Sequence, residues 1–429
     1  MTDKRYSSLE ELFEDREQEI LDACVQCGEC VSACPVFSVS AFKDHDTAEV
    51  AKKMFAVLEE RKYSDEAYQK SFSCMLCGNC IDVCPQGLNP MFFNNLVRAR
   101  LVEQGNEIPE ALGLLLPNRD PYLPRILSGI QMKPSDARWA EDFPSDPEKK
   151  DVVVFLGCSA LATPDKNFAL IDILEKMNVD FTVLIGGKIC CGVCNMFAGQ
   201  LKEADLMSGK LVKSISAFSP EKLVVVCPTC YDQLNNVVSQ YISFDFKVQF
   251  VSTFLNDNID KLAFNTPLNK KVTLHDPCPL SRGFRDDASI RKIINALPGV
   301  EMVEMEHNRE ESLCCGSLAG FTYPEYAGRF TMALMDEGGA TGADAMVNVC
   351  NFCHLMLCSL SNKYAFELTD LVTLVNLAQG GHKYEDKVRT YWKYGDVDQI
   401  LKDAKEYIDA SGLDMNMLRQ LLPIVFQLA

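Results

Sequence analysis

The chain has 429 residues, 47% of them hydrophobic, and a net charge of -18, enough apolar material for one large domain or two to three ordinary ones. That acidity repels phosphate backbones and, with no basic stripe interleaved with aromatics, argues against nucleic acid as a partner. Twenty cysteines, a charged rather than signal-like first stretch and no apolar run long enough to span a membrane read as metal or redox chemistry in a cytoplasmic protein, not a disulfide framework.

Residues 1–130 read as helical. A capping box, Ser8-x-x-Glu11, opens a helix whose Leu9, Leu12, Phe13 and Ile20 share one period. Thr47 caps a second, with Val50, Met54, Phe55 and Leu58 on one face. Asn89 caps a third, with Pro90 at its first position, Phe92, Phe93, Leu96 and Val97 as its apolar stripe and Gly105 near its stop. Residues 131–150 (QMKPSDARWAEDFPSDPEKK), rich in proline and charge, form a linker. Beyond it, short β-branched runs alternate with helical patterns, an α/β region that repeats itself. VVVFLG before Cys158 corresponds to VTLHDP before Cys278, ICCG at Cys190 to LCCG at Cys314, and VVVCPTC at Cys227 to VNVCNFC at Cys350. The offsets of 120, 124 and 123 residues mark two copies of one unit, 151–265 and 266–382, whose stacking makes a shared site. Residues 383–429 read as an acidic helical tail ending in LLPIVFQLA, which either packs on the core or helps to dock a partner.

Cys24, Cys27, Cys30 and Cys34 before Pro35, and Cys74, Cys77, Cys80 and Cys84 before Pro85, each match CxxCxxCxxxCP. Three thiolates spaced by two residues wrap three corners of a 4Fe-4S cubane, and the fourth, after a longer gap, points to the other cluster. Cys84 then completes the first cluster and Cys34 the second. Zinc sites lack the third and fourth cysteines at these intervals. The helical stretch between the two groups makes this module similar to the α-helical ferredoxin module of multisubunit reductases.

Each repeat carries five cysteines in one pattern. Cys158, Cys190, Cys191, Cys227 and Cys230 form the first set, and Cys278, Cys314, Cys315, Cys350 and Cys353 the second, with Gly192 and Gly316 completing each CCG. Five thiolates exceed what a cubane needs, and vicinal cysteines do not easily cap two corners of one cube, so an unusual cluster is implied. Both repeats resemble the CCG cysteine-rich domains of heterodisulfide reductases. With the ferredoxin pair in front, the chain resembles the D-type subunit, which fuses the ferredoxin subunit with the catalytic one. The resemblance implies an α+β multidomain protein, an α-helical ferredoxin domain followed by a duplicated α/β Rossmann-like domain. It also implies that each five-cysteine set holds a non-cubane 4Fe-4S cluster, and that a disulfide is cleaved between the two as electrons arrive singly from two cubanes.

His275, His354 and Lys188 lie nearest the motif cysteines in sequence and are the candidate proton donors. Arg282, Arg285 and Arg309 are candidate cations for an anionic disulfide. Cys194 and Cys358 fall outside every motif and read as small buried side chains. A different class of function shares this layout: an electron-transfer protein similar to the iron-sulfur partners of glycolate or glycerol-3-phosphate dehydrogenases, or to a component of the membrane redox complexes of sulfate reducers. Intact CxxC in both repeats favours two full clusters and hence the reductase. No flavin or nicotinamide fingerprint is present, so a partner, a flavoprotein or a b-type cytochrome, supplies the electrons and provides any membrane attachment.

Overall fold

The computed structural model describes residues 5–140 and 143–426. Its N-terminal module is built from four main helices whose ends follow side-chain caps. Helix α1 (Leu9–Ala23) starts at Ser8, whose hydroxyl accepts from the Glu11 amide at 3.2 Å. The Glu11 carboxylate reaches the Ser7 amide at 2.6 Å instead of that of Ser8, so the expected box is displaced by one residue. Helix α2 (Thr47–Glu59) is capped by Asp46, not Thr47. The Asp46 carboxylate accepts from the Glu49 amide at 2.9 Å, and an ionised acceptor outcompetes a neighbouring hydroxyl. Helix α3 (Asp65–Phe72) follows, and α4 (Pro90–Glu103) begins at Asn89 as the sequence indicates. Helix α4 is buried nearly all round, not along one stripe, because it lies between the other helices and the first α/β unit. Its Arg100 donates to the buried Glu17 of α1 at 2.7 Å, and Arg61 reaches the same carboxylate at 2.6 Å.

The expected linker is docked on the sheet that follows. Ala140 donates to Val183 O at 3.1 Å and accepts from Ile185 N at 3.1 Å, extending one sheet edge by a single bridge. Residues 141 and 142 of that segment lie outside the described residues.

Two four-stranded parallel sheets follow. Strands β1 (Val152–Phe155), β2 (Phe181–Leu184), β3 (Lys222–Val225) and β4 (Lys247–Phe250) pair in the order β2-β1-β3-β4. Strands β5 (Lys270–Leu274), β6 (Val300–Met302), β7 (Ala345–Asn348) and β8 (Glu367–Asp370) repeat that order as β6-β5-β7-β8. All four residues of β1 and of β7 are buried, which explains their unbroken apolar sequences: a strand inside a parallel sheet is covered on both faces. The cysteines follow the carboxyl ends of these strands, Cys158 and Cys278 after β1 and β5, Cys227 and Cys350 after β3 and β7. In parallel α/β sheets that edge, where strand order reverses, is where ligands bind. Helices α5 (Pro164–Lys176) and α6 (Leu201–Ser216) belong to the first unit, and α7 (Pro324–Ala340), α8 (Asn351–Cys358) and α9 (Leu371–Ala378) to the second. Helix α5 packs on α9 and joins the two units.

The tail forms α10 (Lys387–Tyr394), α11 (Val397–Asp403), α12 (Lys405–Ser411) and α13 (Met415–Val425). It packs on its own chain: the Tyr391 hydroxyl donates to Ile130 O at 2.7 Å, and Leu418, Leu422 and Phe426 are buried. Residues 427–429, the end of the apolar terminal run, lie outside the described residues. Among the described residues no helix is long and apolar enough to cross a membrane.

Candidate functional site

The eight ferredoxin cysteines line two separate cavities. Cys24, Cys27, Cys30 and Cys84 surround one, and Cys34, Cys74, Cys77 and Cys80 surround the other, which is the exchange of fourth ligands that the spacing indicates. Both loops turn in the same way, through left-handed Gln26 and Gly28 in one and Leu76 and Gly78 in the other. At Gly28 a Cβ would sit 2.5 Å from the Ala48 amide, so the first turn needs glycine for space as well as conformation. Burial pushes the Cys30 thiol up to about 11 and the Cys77 thiol up to about 12. Without a bound cation these sulfurs stay protonated, so each cage of four suits an iron cluster that supplies the positive charge. Cys27 is exposed while Cys77 is buried, which puts the first cage at the surface and the second inside.

A buried lysine, which nothing in the sequence marks, lies at the second cage. Lys70 is 6% exposed, donates to Asn94 Oδ1 at 3.1 Å, and shares the cavity lined by Cys34, Cys74 and Cys80. Burial by itself would lower its ammonium; the negative charge of Cys34, Cys74, Cys80 and Cys30, where those sulfurs are ionised, raises it above the ordinary lysine range. Among the described residues it has no carboxylate partner. Arg98 is also buried and spends its guanidinium on the carbonyls of Ser71 at 2.7 Å, Cys74 at 2.9 Å and Phe197 at 3.1 Å, tying this cage to the first α/β unit.

The two CCG sites share one construction. Gly192 and Gly316 have φ of 77° and 80°, and a Cβ on Gly192 would meet Ala204 O of α6 at 2.4 Å, so glycine lets the motif press against the next helix. The Gly192 amide donates to Cys190 Sγ at 3.5 Å, and the Gly316 amide to Cys314 Sγ at 3.4 Å. Cys191 and Cys230 Sγ lie 3.2 Å apart, Cys315 and Cys353 Sγ 3.1 Å. Those gaps are too long for a disulfide and near the ~3.7 Å between two thiolates on one tetrahedral ion with bonds of about 2.3 Å. Hydrogen bonds from Cys190 and Cys230 hold Cys191 well below the ordinary thiol range; those from Cys314 and Cys353, with the His275 ring beside them, do the same for Cys315. Sulfurs crowded this way match a site built for thiolate ligation.

The first unit is closed. Its five motif cysteines are each 4% exposed or less, and Cys194 is buried beside them with the Tyr122 ring. The second unit opens on a cavity of about 500 Å³, lined by all five of its motif cysteines, by Cys77 of the inner ferredoxin cage and by Val193, Cys194 and Thr229 of the first unit. Met75, Leu76, Phe197, Leu318, Phe321 and Phe352 make its wall predominantly apolar, and Arg16 and Glu19 of α1, unremarked in the sequence, reach its rim.

The sequence candidates separate. His275 is buried against Cys315. His354, on α8 next to Cys353, faces the other way, because consecutive helical residues point about 100° apart; its Nδ1 accepts from Asn348 at 3.3 Å and its Nε2 donates to Asp386 at 2.8 Å, locking α8 to the tail. Lys188 is exposed and outside the central cavity, on a bend after β2 where Ile189 is buried and Lys188 is not. Arg282 lines the cavity, but its guanidinium bonds the carbonyls of Cys77, Glu310 and Ser312. Arg285 is exposed with Asp82 4.0 Å away, and Arg309 pairs with Asp287 at 2.8 Å; neither lines the cavity. Cys194 and Cys358 are buried as expected.

A cysteine-rich domain family matches residues 152–235 and again 272–358, and a 4Fe-4S dicluster domain family matches residues 20–88. The chain is 28% identical over 398 residues to the D-type subunit of a dihydromethanophenazine:CoB–CoM heterodisulfide reductase from Methanosarcina acetivorans, covering 84% of this chain and 94% of that one. It is 31% identical over 204 residues to the B-type subunit of a fumarate reductase (CoM/CoB) from Methanothermobacter marburgensis, covering 47% and 40%. A solved structure of a hypothetical protein from Helicobacter pylori aligns with 89% of the chain at a TM-score of 0.47 and 11% identity, covering 78% of that protein.

Proposed function

The chain belongs to the heterodisulfide reductase family, in the D-type arrangement that joins a 4Fe-4S dicluster domain to a paired cysteine-rich domain, and on that premise we propose that it reduces a disulfide in the cavity between its two cysteine-rich units. The observation that carries this is the convergence of Cys77, the five cysteines of the second unit and the face of the first unit on one apolar cavity of about 500 Å³. That volume lies in the range of small-molecule sites.

When bound, the two cubane clusters would supply electrons one at a time, and the two non-cubane clusters would supply redox-active iron beside the disulfide. The cubane ligands would be Cys24, Cys27, Cys30 and Cys84, then Cys34, Cys74, Cys77 and Cys80. The non-cubane ligands would be the two CCG sets. The net reaction consumes one disulfide, two electrons and two protons and releases two thiols. The exposed Cys27 cage faces the electron donor, a flavoprotein or a b-type cytochrome. The apolar wall keeps bulk water from the half-reduced substrate. Arg282 holds the inner ferredoxin loop against the second unit and so fixes the geometry across which electrons pass. Of the three proton-donor candidates, only His275 adjoins the cysteines of the site.

The test is a pair of variants. Cys315→Ser should abolish disulfide reduction with an artificial reductant while the ferredoxin signals persist. Cys77→Ser should block turnover with the natural donor and retain activity when a small reductant reaches the cavity. A wild-type chain that reduces no disulfide, yet carries electrons between a dehydrogenase and a second acceptor, would support instead the electron-delivery role.

A further inference from the structure

We propose that His275 is an iron ligand of the second cysteine-rich unit, forming with Cys315 and Cys353 a three-donor set that the first unit lacks. The proposal rests on the reading that the second unit's cysteines hold a cluster. The His275 ring is 1% exposed, and among the described residues neither of its nitrogens has a nitrogen or oxygen partner; the polar atom beside the ring is the Cys315 sulfur. A buried polar atom without a nitrogen or oxygen partner gives up its hydration uncompensated, so an imidazole whose polar neighbours are cysteine sulfurs calls for something to bind. One ring nitrogen and the sulfurs of Cys315 and Cys353 all lie within 4.8 Å of one another, and the two sulfurs are 3.1 Å apart. Such a constellation fits three donors on one metal atom.

The backbone aims the ring. The His275 amide donates to Val347 O at 2.9 Å just beyond β5. The Asp276 carboxylate is gripped by Arg291 at 2.9 and 2.7 Å and by the Arg309 amide at 2.8 Å, and its carbonyl accepts from Ser312 Oγ at 2.8 Å. His275 itself does not line the central cavity. It sits behind the sulfurs, where it can hold metal but cannot hand a proton to a substrate.

The repeat supplies an internal control. At the offset of 120 residues, Phe155 stands where the second unit has His275; at the offset of 124, Leu318 stands where the first has Cys194. Phe155 is fully buried and has no donor atom. The duplication therefore holds two unlike sites, six thiols around one and five thiols with one imidazole around the other.

The experiment uses the full chain, loaded anaerobically, with natural-abundance or 15N-labelled histidine, and pulsed EPR of the CCG clusters in a paramagnetic state. A nitrogen coupling of directly bound strength should change with the isotope, vanish in His275→Gln and survive in His354→Gln. If His275→Gln does not assemble, the isotope comparison in the wild type together with His354→Gln decides the matter. A cluster present in the second unit with no bound nitrogen overturns the ligand assignment alone. Iron content unchanged in Cys350→Ser and Cys353→Ser overturns the cluster reading on which it rests.

Discussion

Replacing Arg282 by Met should loosen the contact between the ferredoxin module and the second cysteine-rich unit without emptying any cluster. Its guanidinium donates to Cys77 O at 2.7 Å, to Ser312 O at 2.8 and 3.1 Å and to Glu310 O at 2.9 Å. Water can replace the exposed bond to Glu310, whereas the part-buried carbonyls of Cys77 and Ser312 lose their donor. Each hydrogen bond from a charged group is worth ~1.5–3 kcal/mol, so about 3 kcal/mol of local stability should go after allowance for partial exposure. That is roughly a 150-fold rise in the population of the locally open form. Hydrogen exchange read by mass spectrometry on the loaded protein should report it as faster exchange in peptides covering 75–84 and 308–316. Arg285→Met is the control, since Arg285 is exposed with only Asp82 4.0 Å away. Unchanged exchange in Arg282→Met, together with a raised KM for the disulfide, would show that the guanidinium serves substrate and that the clamp is wrongly inferred.

Iron analysis of anaerobic protein should give about sixteen atoms per chain if all four sites hold 4Fe-4S clusters; a value near eight would remove the CCG sites. Lys70→Met should keep its iron but shift the cubane potentials negative by on the order of 100 mV, a unit charge being worth about 4 kcal/mol at 4 Å and an effective dielectric of 20; unaltered potentials in a redox titration would refute the role of that buried charge. Burial alone would raise Glu367, but hydrogen bonds from Lys270 at 2.6 Å and Lys383 at 3.0 Å hold it down to about 2. Glu367→Gln should therefore cost ~1–2 kcal/mol at pH 7 once exposure is discounted. A depressed carboxylate stabilises above its unfolded value of 4.5 and loses that effect as pH falls toward 2, so the gap between the denaturant midpoints of wild type and variant should hold from pH 7 to about pH 5 and close below that as pH falls toward 2; a gap that widens on acidification would reverse the sign.

The grouping of the cysteines was legible because fixed spacings bring them together. CxxCxxCxxxCP is short, local and repeated, and the exchange of Cys34 and Cys84 between cages follows from its reach. The duplication was legible from three matched offsets, and the strands from β-branched runs that parallel sheets bury on both faces. The roles of charged residues were not. Lys70 reads as an ordinary polar position of α3, and only the fold puts the cysteine loops around it. Arg282 reads as a cation available to substrate, yet the approach of the Cys77 loop, 205 residues away in sequence, consumes it. His354 and Lys188 show the limit of adjacency: a residue next to a site cysteine on a helix is turned away by the helical period, and one two before such a cysteine is carried out to solvent on a bend.

The crossing of Cys34 and Cys84 makes each ferredoxin cage depend on both cysteine groups, so neither closes until the α2–α3 excursion has folded back. That excursion also delivers Lys70, and the loop after it carries Cys77 to the edge of the second unit, not the first, although the first follows sooner in the chain. Ala41 N meets the Tyr326 hydroxyl of α7 at 3.1 Å, and Gln69 meets the same oxygen at 3.1 Å, so the docking is held from both sides of the excursion. Sequence order is thus dicluster module, first unit, second unit, while the inner cage touches both units: Arg282 of the second bonds Cys77 O, and Arg98 bonds both Cys74 O and Phe197 O of the first. A duplication whose copies began as equals becomes directional through this contact. The second copy brings all five of its motif cysteines to the cavity, whereas the first borders it with Val193, Cys194 and Thr229 and keeps its five motif cysteines behind them.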